Sequence, residues 1–361
     1  MRYTVFDRLL FQAADTLFRR NDKKFKERIM KIWQLNAPSK LEHSTAPDLK
    51  TEDGKAKVKI VKAALSEADV AAYNGELSVK YPVTLGRFAV GQVTETAENC
   101  YMKKGDRVYF ADVTEDEEAP DGIQTAGLSC DGFFRDFALA DDTNAYVLPA
   151  SVSDEAAFLI DAVALAERIV DEANISVGQH VLVIGGGLYG NILCQILIYH
   201  RAVPILADNN PERLERAKKS GIYYTFHNDD TLKSNLLKVT GGKLAEAAVF
   251  FAFANKSEPS SIFSLVARNS IVCFAALSQE NLVINMQNAL KNNLTVKGIT
   301  ESREFVSAAI NILANKAVNY SEFSYQSFNE DALLSEIEAC AKNPAKRAAL
   351  SEERHIFKFV I

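Results

Sequence analysis

The sequence lacks the cysteine pattern of a disulfide-stabilised secreted protein. Its 361 residues include five cysteines, and no two of them stand at Cys-x-x-Cys spacing. An odd, unpaired set of thiols is typical of a reducing compartment rather than of a disulfide framework. The sequence therefore predicts a cytoplasmic protein.

Long apolar runs and an excess of one charge are also missing. No apolar stretch approaches the roughly 20 residues that a membrane span needs, so no membrane span is expected. The 41 basic and 47 acidic residues give a net charge of -6, which does not suit nucleic acid. Internal repeats and low-complexity tracts are absent from the sequence as well. The expected partner is a small-molecule substrate.

The most informative stretch is a glycine turn in the middle of the chain. Residues 181–184 are apolar and mostly β-branched, and Gly185, Gly187 and Gly190 follow at G-x-G-x-x-G spacing. The first glycine allows a tight turn, the second lets the backbone approach a pyrophosphate, and the third lets a helix pack closely on the sheet. The helix N-terminus would add unpaired N–H groups and its positive dipole end. The stretch predicts dinucleotide binding, and a glycine turn that binds nothing is the alternative.

A second predicted strand ends in an acidic residue. Asp208 lies 18 residues after Gly190, where its carboxylate can accept hydrogen bonds from ribose hydroxyls and repel a 2′-phosphate. Together with Asn209 it favours NAD, while Arg213 and Arg216 leave NADP as the alternative. The predicted cofactor-binding residues also include two members of the glycine turn, Leu188 and Tyr189.

Hydrophobic periodicity divides the chain into three parts. Residues 1–29 show an amphipathic pattern, which predicts helices that pack on the body of the protein or on another subunit; a membrane-surface helix is the alternative. Residues 30–155 show short alternating runs that predict a mainly antiparallel, barrel-like domain, completed by residues 303–361. Residues 156–302 alternate strands and helices, which predicts a doubly wound parallel sheet in an α/β fold.

The same patterns predict individual elements. Strands are predicted at residues 31–35, 56–64, 88–94, 107–110, 133–140, 145–148, 223–226, 270–276, 293–299 and 355–360, with a loop between the first two. Helices are predicted at residues 161–173, 211–220, 232–239 and 260–267, and helices alone are predicted between residue 303 and the last strand.

Several stretches resemble the medium-chain dehydrogenase/reductase superfamily, the zinc alcohol and polyol dehydrogenases and their relatives. They include Gly105-Asp106-Arg107-Val108, the stretch from Asp131 to Ala138, and the stretch from Asp208 to Lys218. The resemblance covers residues 30 to 361 and implies a GroES-like catalytic domain, a Rossmann domain that binds NAD, and a homodimer formed through an edge strand. It also implies that the nicotinamide lies beside Phe253 and Ala276.

The zinc ligands of that family are replaced in this sequence. By position, the usual cysteine becomes Ser66, the histidine becomes Arg87 and the glutamate becomes Phe88, and only Asp161 keeps an ionisable oxygen. Zinc prefers a tetrahedron of cysteine, histidine and carboxylate ligands, and an arginine would place a permanent cation at its position. The four cysteines of the family's structural zinc are also missing from residues 111–129. The sequence therefore predicts that no zinc is bound.

Without a metal, another group must polarise a substrate carbonyl. Arg87 can stabilise a developing alkoxide or anchor a substrate phosphate or carboxylate, or it can simply pair with Asp161 or Asp69. Ser66 is a candidate proton donor, as is Tyr101, and Asp161 completes the candidate catalytic set. We expect a zinc-independent oxidoreductase acting on NAD(H) and a small alcohol or carbonyl substrate, and the resemblance points to polyols, sugars and sugar phosphates. The alternatives are a quinone or enone reductase and an NAD(P)-binding regulatory or scaffold protein that has lost catalysis.

Two further sets of side chains are interpreted as structural. Phe250 and Phe251 fall in a very apolar run, which favours buried strand core over stacking on a cofactor. The five histidines fall outside the motifs, so each is expected to face solvent or to have a structural role.

Overall fold

The structure is a computed structural model that describes residues 29–115, 122–251, 262–275, 285–300, 303–350 and 352–359. Nearly all of the predicted N-terminal extension, together with Phe253 and Ala276, lies outside these residues. Among the helices in the described ranges, none combines the length and the apolar character that crossing a membrane requires.

The first part of the chain consists of short β-strands joined by turns. They are β1 (Ile29–Ala37), β2 (Lys40–Pro47), β3 (Ala56–Leu65), β4 (Val83–Thr84), β5 (Phe88–Thr96), β6 (Arg107–Phe110), β7 (Val113–Glu115), β8 (Ile123–Thr125), β9 (Phe137–Ala140) and β10 (Ala145–Val147), with helix α1 (Glu67–Asn74) after β3. The strands predicted here are confirmed, although β9 begins four residues late. The loop predicted after β1 is wrong, because β2 pairs with β1 along its length. Only Leu41 is buried in β2, so the alternation that identifies a strand is too weak there.

The C-terminal segment completes the main antiparallel sheet. Helix α8 (Val306–Ala314) comes before strand β17 (Tyr325–Asn329), and helices α9 (Leu333–Lys342) and α10 (Pro344–Ala349) lie between β17 and strand β18 (Arg354–Lys358). The sheet order is β10-β6-β5-β3-β18-β17, with β9 also paired to β3. The prediction of helices alone in this segment is therefore wrong at β17, an outer strand with no fully buried residue.

The middle of the chain forms a parallel sheet flanked by helices. Its elements are α2 (Asp154–Ala157), α3 (Ile160–Glu172), β11 (His180–Ile184), α4 (Leu188–Tyr199), β12 (Val203–Asp208), α5 (Pro211–Lys219), β13 (Tyr224–His227), α6 (Leu232–Val239), β14 (Ala245–Phe250), β15 (Val266–Phe274), α7 (Met286–Asn292) and β16 (Thr295–Gly298). The strand order β13-β12-β11-β14-β15-β16 confirms the predicted doubly wound sheet. The predicted helix 260–267 is wrong at its end, because β15 already begins at Val266.

This strand order places a crevice at the glycine turn. Strand β11 has β12 on one side and β14 on the other, so the connections that follow β11 and β14 go to opposite sides of the sheet. Ligands of such sheets bind in the crevice that this change of direction leaves at the carboxyl ends of the strands. Buried residues of both sheets belong to one continuous core, among them Phe88, Tyr109, Val183 and Leu206. The antiparallel sheet therefore packs close to the crevice. The predicted bounds of the two domains stay a prediction.

Candidate functional site

Two of the three glycines of the turn occupy positions that larger residues would disturb. Gly185 has a φ of 103°, in the left-handed region that favours glycine. A Cβ atom added to Gly190 would lie 1.8 Å from the carbonyl oxygen of Gly185. Gly187 caps helix α4 without a side-chain hydrogen bond. The first backbone N–H groups of α4 therefore point into the crevice without a side-chain acceptor, as a phosphate site requires.

Asp208 lies at the end of β12, directly beside this turn. It is only 6% exposed; its Oδ2 accepts a hydrogen bond of 2.6 Å from the Gly186 N–H, and its Oδ1 accepts one of 2.7 Å from the Asn210 N–H. The guanidinium of Arg213 lies 3.3 Å from Oδ2 and also donates to Glu352 at 2.5 Å. The cation closest to the predicted ribose site is thus shared by two carboxylates. Asn209 lies next to Asp208 and is exposed.

A cleft of about 320 Å³ lies between the glycine turn and the antiparallel sheet. Ser66, Arg87 and Phe88 line one side, and Tyr189 and Phe251 line the other with the glycine turn. This volume is in the range of small-molecule sites. The structure therefore brings the predicted nucleotide turn and two of the three candidate catalytic residues to one cavity.

The interpretation of Phe250 and Phe251 is correct for the first residue only. Phe250 is fully buried, whereas Phe251 follows the last residue of β14 and lines the cleft. Its ring and that of Tyr189 are stacked at an offset, with 6.3 Å between the centroids and an interplanar angle of 24°. Phe251 emerges at the carboxyl end of its strand, the edge at which parallel sheets expose side chains to ligands.

Ser66 is held in a helix cap. Its hydroxyl donates to Oδ2 of Asp69 at 2.6 Å and accepts from the backbone N–H of the same residue at 3.2 Å, as the N-cap of α1. Asp69 also accepts a 2.9 Å hydrogen bond from the Gly86 N–H. Burial raises the pKa of Asp69, even though the hydrogen bonds from Ser66 and Gly86 act in the opposite direction. This network fixes Ser66 beside the segment that carries Arg87.

Arg87 forms an ion pair with Asp112, a residue outside the motifs and not among its predicted partners. Both residues are buried, with 7% and 6% exposure. Of the two carboxylates predicted as partners, Asp69 is close enough for the charge of Arg87 to act on its pKa, in the lowering direction. Asp161 is paired with another arginine. The alternative that Arg87 has a structural pairing is supported, but with a different partner.

The arginine that pairs with Asp161 is Arg354, the first residue of β18. Its Nη2 atom lies 2.6 Å from Oδ2 of Asp161, and its Nε donates to the Phe158 carbonyl at 3.0 Å. The hydroxyl of Tyr189 donates to the same carboxylate oxygen at 2.6 Å and lies 3.4 Å from Nη2. Burial alone would lower the pKa of Arg354, but Asp161 and Tyr189 together outweigh it and leave the pKa raised. Sequence reasoning missed Arg354, because it lies 193 positions from Asp161 and in no motif.

The residues at the family's zinc positions do not form a zinc-type donor set in this cleft. The Ser66 hydroxyl is engaged in a helix cap, Arg87 is a cation, and the Asp161 carboxylate is taken by Arg354. The ring of Phe88 has the guanidinium carbons of Arg87 and Arg354 at 5.4 and 5.9 Å from its centroid, which is cation–π distance.

Comparison with known proteins agrees with this architecture. Residues 52–150 match the alcohol dehydrogenase GroES-like domain, and residues 189–315 match the zinc-binding dehydrogenase family. A sorbitol dehydrogenase from Halalkalibacterium halodurans is 23% identical over 279 residues, which cover 73% of this chain and 81% of the relative. The chain therefore belongs to the medium-chain dehydrogenase/reductase superfamily, as the sequence resemblance predicted, and it is an alcohol dehydrogenase/reductase-like member.

Solved structures show the same fold. The short chain alcohol dehydrogenase RspB of E. coli CFT073, complexed with NADH, has a TM-score of 0.79 and 20% identity, over 92% of this chain and 99% of that protein. A Sinorhizobium meliloti 1021 protein assigned as a zinc-binding dehydrogenase, bound to NADP, has a TM-score of 0.80 and 19% identity. The match covers 92% of this chain and 100% of that protein. These similarities confirm the Rossmann and GroES-like fold class.

Proposed function

We propose that this protein is a zinc-independent oxidoreductase that transfers a hydride between NAD(H) and a small alcohol or carbonyl substrate, such as a polyol, a sugar or a sugar phosphate. The observation that carries the proposal is a glycine turn facing a cleft, together with two of the family's zinc-ligand positions, Arg87 and Asp161, that lie in buried arginine–carboxylate pairs. A bound nicotinamide supplies or accepts the hydride. The side chains of the cleft position the reactants, exclude water and hold a proton.

The preference for NAD over NADP is supported by the charges around Asp208. Its carboxylate faces the predicted ribose site, while the nearby Arg213 is shared between Asp208 and Glu352 and is not free to bind a 2′-phosphate. Fluorescence titration should show tighter binding of NADH than of NADPH. Asp208→Asn keeps an oxygen for the Gly186 N–H but removes the charge, so it should reduce the preference by about tenfold. Tighter binding of NADPH by the unaltered protein would contradict the proposal.

Tyr189 is the side chain best placed to hold the proton. When a hydride adds to a carbonyl carbon, the oxygen must gain a proton. Tyr189 lines the cleft, and its hydroxyl, which donates to Asp161 in the structure, would turn to the substrate oxygen to deliver that proton. Arg354, 3.4 Å away, would stabilise the phenolate that remains, and Asp161 orients the hydroxyl. Tyr189→Phe should therefore lower kcat by about 100-fold or more and leave NADH affinity unchanged.

A matched control exists for that substitution. Tyr101 is 51% exposed, and its hydroxyl donates to the Ala145 carbonyl at 2.8 Å, so Tyr101→Phe should leave turnover intact. Turnover that survives Tyr189→Phe would show that another group donates the proton. Ser66 then becomes the next candidate donor, and Arg87→Ala tests separately whether Arg87 anchors the substrate.

Zinc independence has its own test. A chelator that binds a catalytic zinc inhibits at once and reversibly, so 1,10-phenanthroline added to a running assay should not change the rate. Immediate inhibition would mean that a metal acts in the cleft despite its poor donor set.

A substrate panel separates the proposal from its alternatives. NADH oxidation is measured with ketoses, sugar phosphates, aldehydes, quinones and enones in parallel. Turnover with quinones or enones alone would favour the reductase alternative. Saturable NADH binding without turnover would favour a regulatory or scaffold protein, an alternative that the internal charge compensation of the cleft supports.

A homodimer and a cytoplasmic location are also part of the proposal. Strand β16 is the outer strand of the parallel sheet among the described residues, and its Val296 is 41% exposed, which supports pairing of two sheets through this strand. Analytical ultracentrifugation should report twice the mass of the chain.

A further inference from the structure

Three potential metal ligands converge behind the cleft, between helix α9 and strand β18. Glu336 and Cys340 are one helical turn apart, and His355 follows Arg354 on the strand. One ligand atom from each lies within 4.8 Å of the other two, and all three residues are buried. Since successive strand residues point to opposite faces, Arg354 turns to the cleft and His355 turns to the helix.

Two buried atoms of this cluster face each other as an ion pair that is poorly aligned for a hydrogen bond. They are Oε1 of Glu336 and Nδ1 of His355, and they lie 2.9 Å apart on side chains that are 8% and 1% exposed. Leaving such polar atoms unsatisfied is costly. Two ligands of one tetrahedral ion, each bound at about 2.0 Å, lie about 3.3 Å apart. The 2.9 Å pair of Glu336 and His355 would therefore open by roughly 0.4 Å to take a shared ion, and the Cys340 thiol lies within reach as a third ligand.

The surroundings of the cluster resemble the outer shell of a metal site. The other ring nitrogen of His355, Nε2, lies 3.2 Å from a carboxylate oxygen of Glu353, which Gln326 also binds at 2.8 Å. The second oxygen of Glu336 accepts a 2.8 Å hydrogen bond from Lys346. Metal-ligating histidines usually donate their second ring N–H to a carboxylate, which orients the ring.

We propose that Glu336, Cys340 and His355 bind one divalent ion of the zinc type in a structural site outside the cleft. Thiolate, imidazole and carboxylate are the donor types that zinc takes, whereas a thiolate argues against Mg²⁺ and Ca²⁺. The Cys340 thiol releases its proton to solvent as the ion binds, and water occupies the fourth position. The ion connects α9 to β18, the strand that carries Arg354. The proposed hydride transfer does not involve it, so the zinc-free expectation for the cleft is unaffected.

Cobalt substitution tests the site in the full-length protein. After treatment with a chelator and dialysis, the protein is titrated with Co²⁺ and should bind one ion per chain, with the near-ultraviolet thiolate-to-cobalt band and the visible absorption of tetrahedral Co²⁺. Zn²⁺ should displace it. Cys340→Ser should abolish the thiolate band, while the same change at Cys100, a half-buried cysteine outside the cluster, should retain it.

A second variant and a measurement on the unaltered protein cover the case in which Cys340→Ser does not fold. Glu353→Gln alters only the outer shell and should weaken Zn²⁺ binding by about 10- to 100-fold, and Zn²⁺ should raise the melting temperature of the unaltered protein. Absence of stoichiometric Co²⁺ binding would overturn the proposal, as would a Cys340→Ser variant with unchanged spectrum and affinity. The cluster would then be a histidine held between two glutamates. NADH binding, measured in parallel, reports on the proposed function separately.

Discussion

The buried pair of Arg354 and Asp161 allows a prediction whose magnitude follows from the structure. The two side chains are 4% and 3% exposed, so neither charge has water to replace a lost partner. Arg354→Met would leave the Asp161 carboxylate with the Tyr189 hydroxyl alone among the hydrogen bonds seen here. Removing one member of a buried pair costs about 3–5 kcal/mol, because the other charge stays buried and uncompensated. The free energy of unfolding should fall by that amount.

The assay is denaturant unfolding, with a double variant as the decisive comparison. Replacing both charges, in Arg354→Met with Asp161→Leu, removes the unpaired charge and should recover most of the loss. Lys218→Met is the control, because Lys218 pairs with Glu215 at the surface, where the side chains are 56% and 60% exposed, and such pairs contribute at most about 1 kcal/mol. The reasoning is refuted if Arg354→Met costs less than about 1 kcal/mol, or if the double variant is no more stable than the single one.

Three more predictions concern the turn, a helix cap and the response to acid. Gly190→Ala brings a methyl group within 1.8 Å of the Gly185 carbonyl, and the strain of about 1–3 kcal/mol should appear as weaker NADH binding in a fluorescence titration. Ser66→Ala removes the hydroxyl that caps α1 and should lower the free energy of unfolding by about 1 kcal/mol, whereas Ser66→Thr should retain most of it. Burial alone would raise the pKa of Asp154, but hydrogen bonds from Lys62 and Arg107 together outweigh burial and leave the pKa lowered. Asp154→Asn should therefore destabilise at neutral pH, and its difference from the unaltered protein in urea unfolding should shrink as the pH falls below about 4, the ordinary pKa of an aspartate.

Each of these predictions has a result that would contradict it. A Cβ at Gly298 meets no atom within 4 Å, so Gly298→Ala is the control for Gly190→Ala, and equal NADH affinities in the two variants would argue against a tight turn. Equal stability of Ser66→Ala and the unaltered protein would mean that the cap contributes little. A difference for Asp154→Asn that stays constant from neutral to acid pH would mean that the Asp154 charge is not the cause.

Local patterns were sufficient for much of the fold. The helix at 232–239 and strand β6 have their predicted bounds, and the parallel sheet follows from the alternation of strands and helices. Two of the strands that were not predicted, β2 and β17, bury little of their surface. Hydrogen bonding to a neighbouring strand holds them in place, and an amino-acid pattern does not record which neighbour will be present.

The glycine turn and the buried ion pairs of the candidate site also differ in how well the sequence predicts them. The nucleotide turn could be predicted because Gly185, Gly190 and Asp208 act through local backbone geometry and through the end of the next strand. The partners Asp112 and Arg354 could not, because each meets its counterpart only after distant strands and helices pack together. The same holds for the cluster of Glu336 and His355, which come from different elements.

By itself, the sequence determined the superfamily, the parallel sheet and the position of the nucleotide turn, because spacing along the chain decides backbone geometry within a few residues. Only the tertiary structure decided how the charges are neutralised. Coulomb interactions depend on distance in space and on burial, and folding brings Arg354 to Asp161 across 193 positions of the chain.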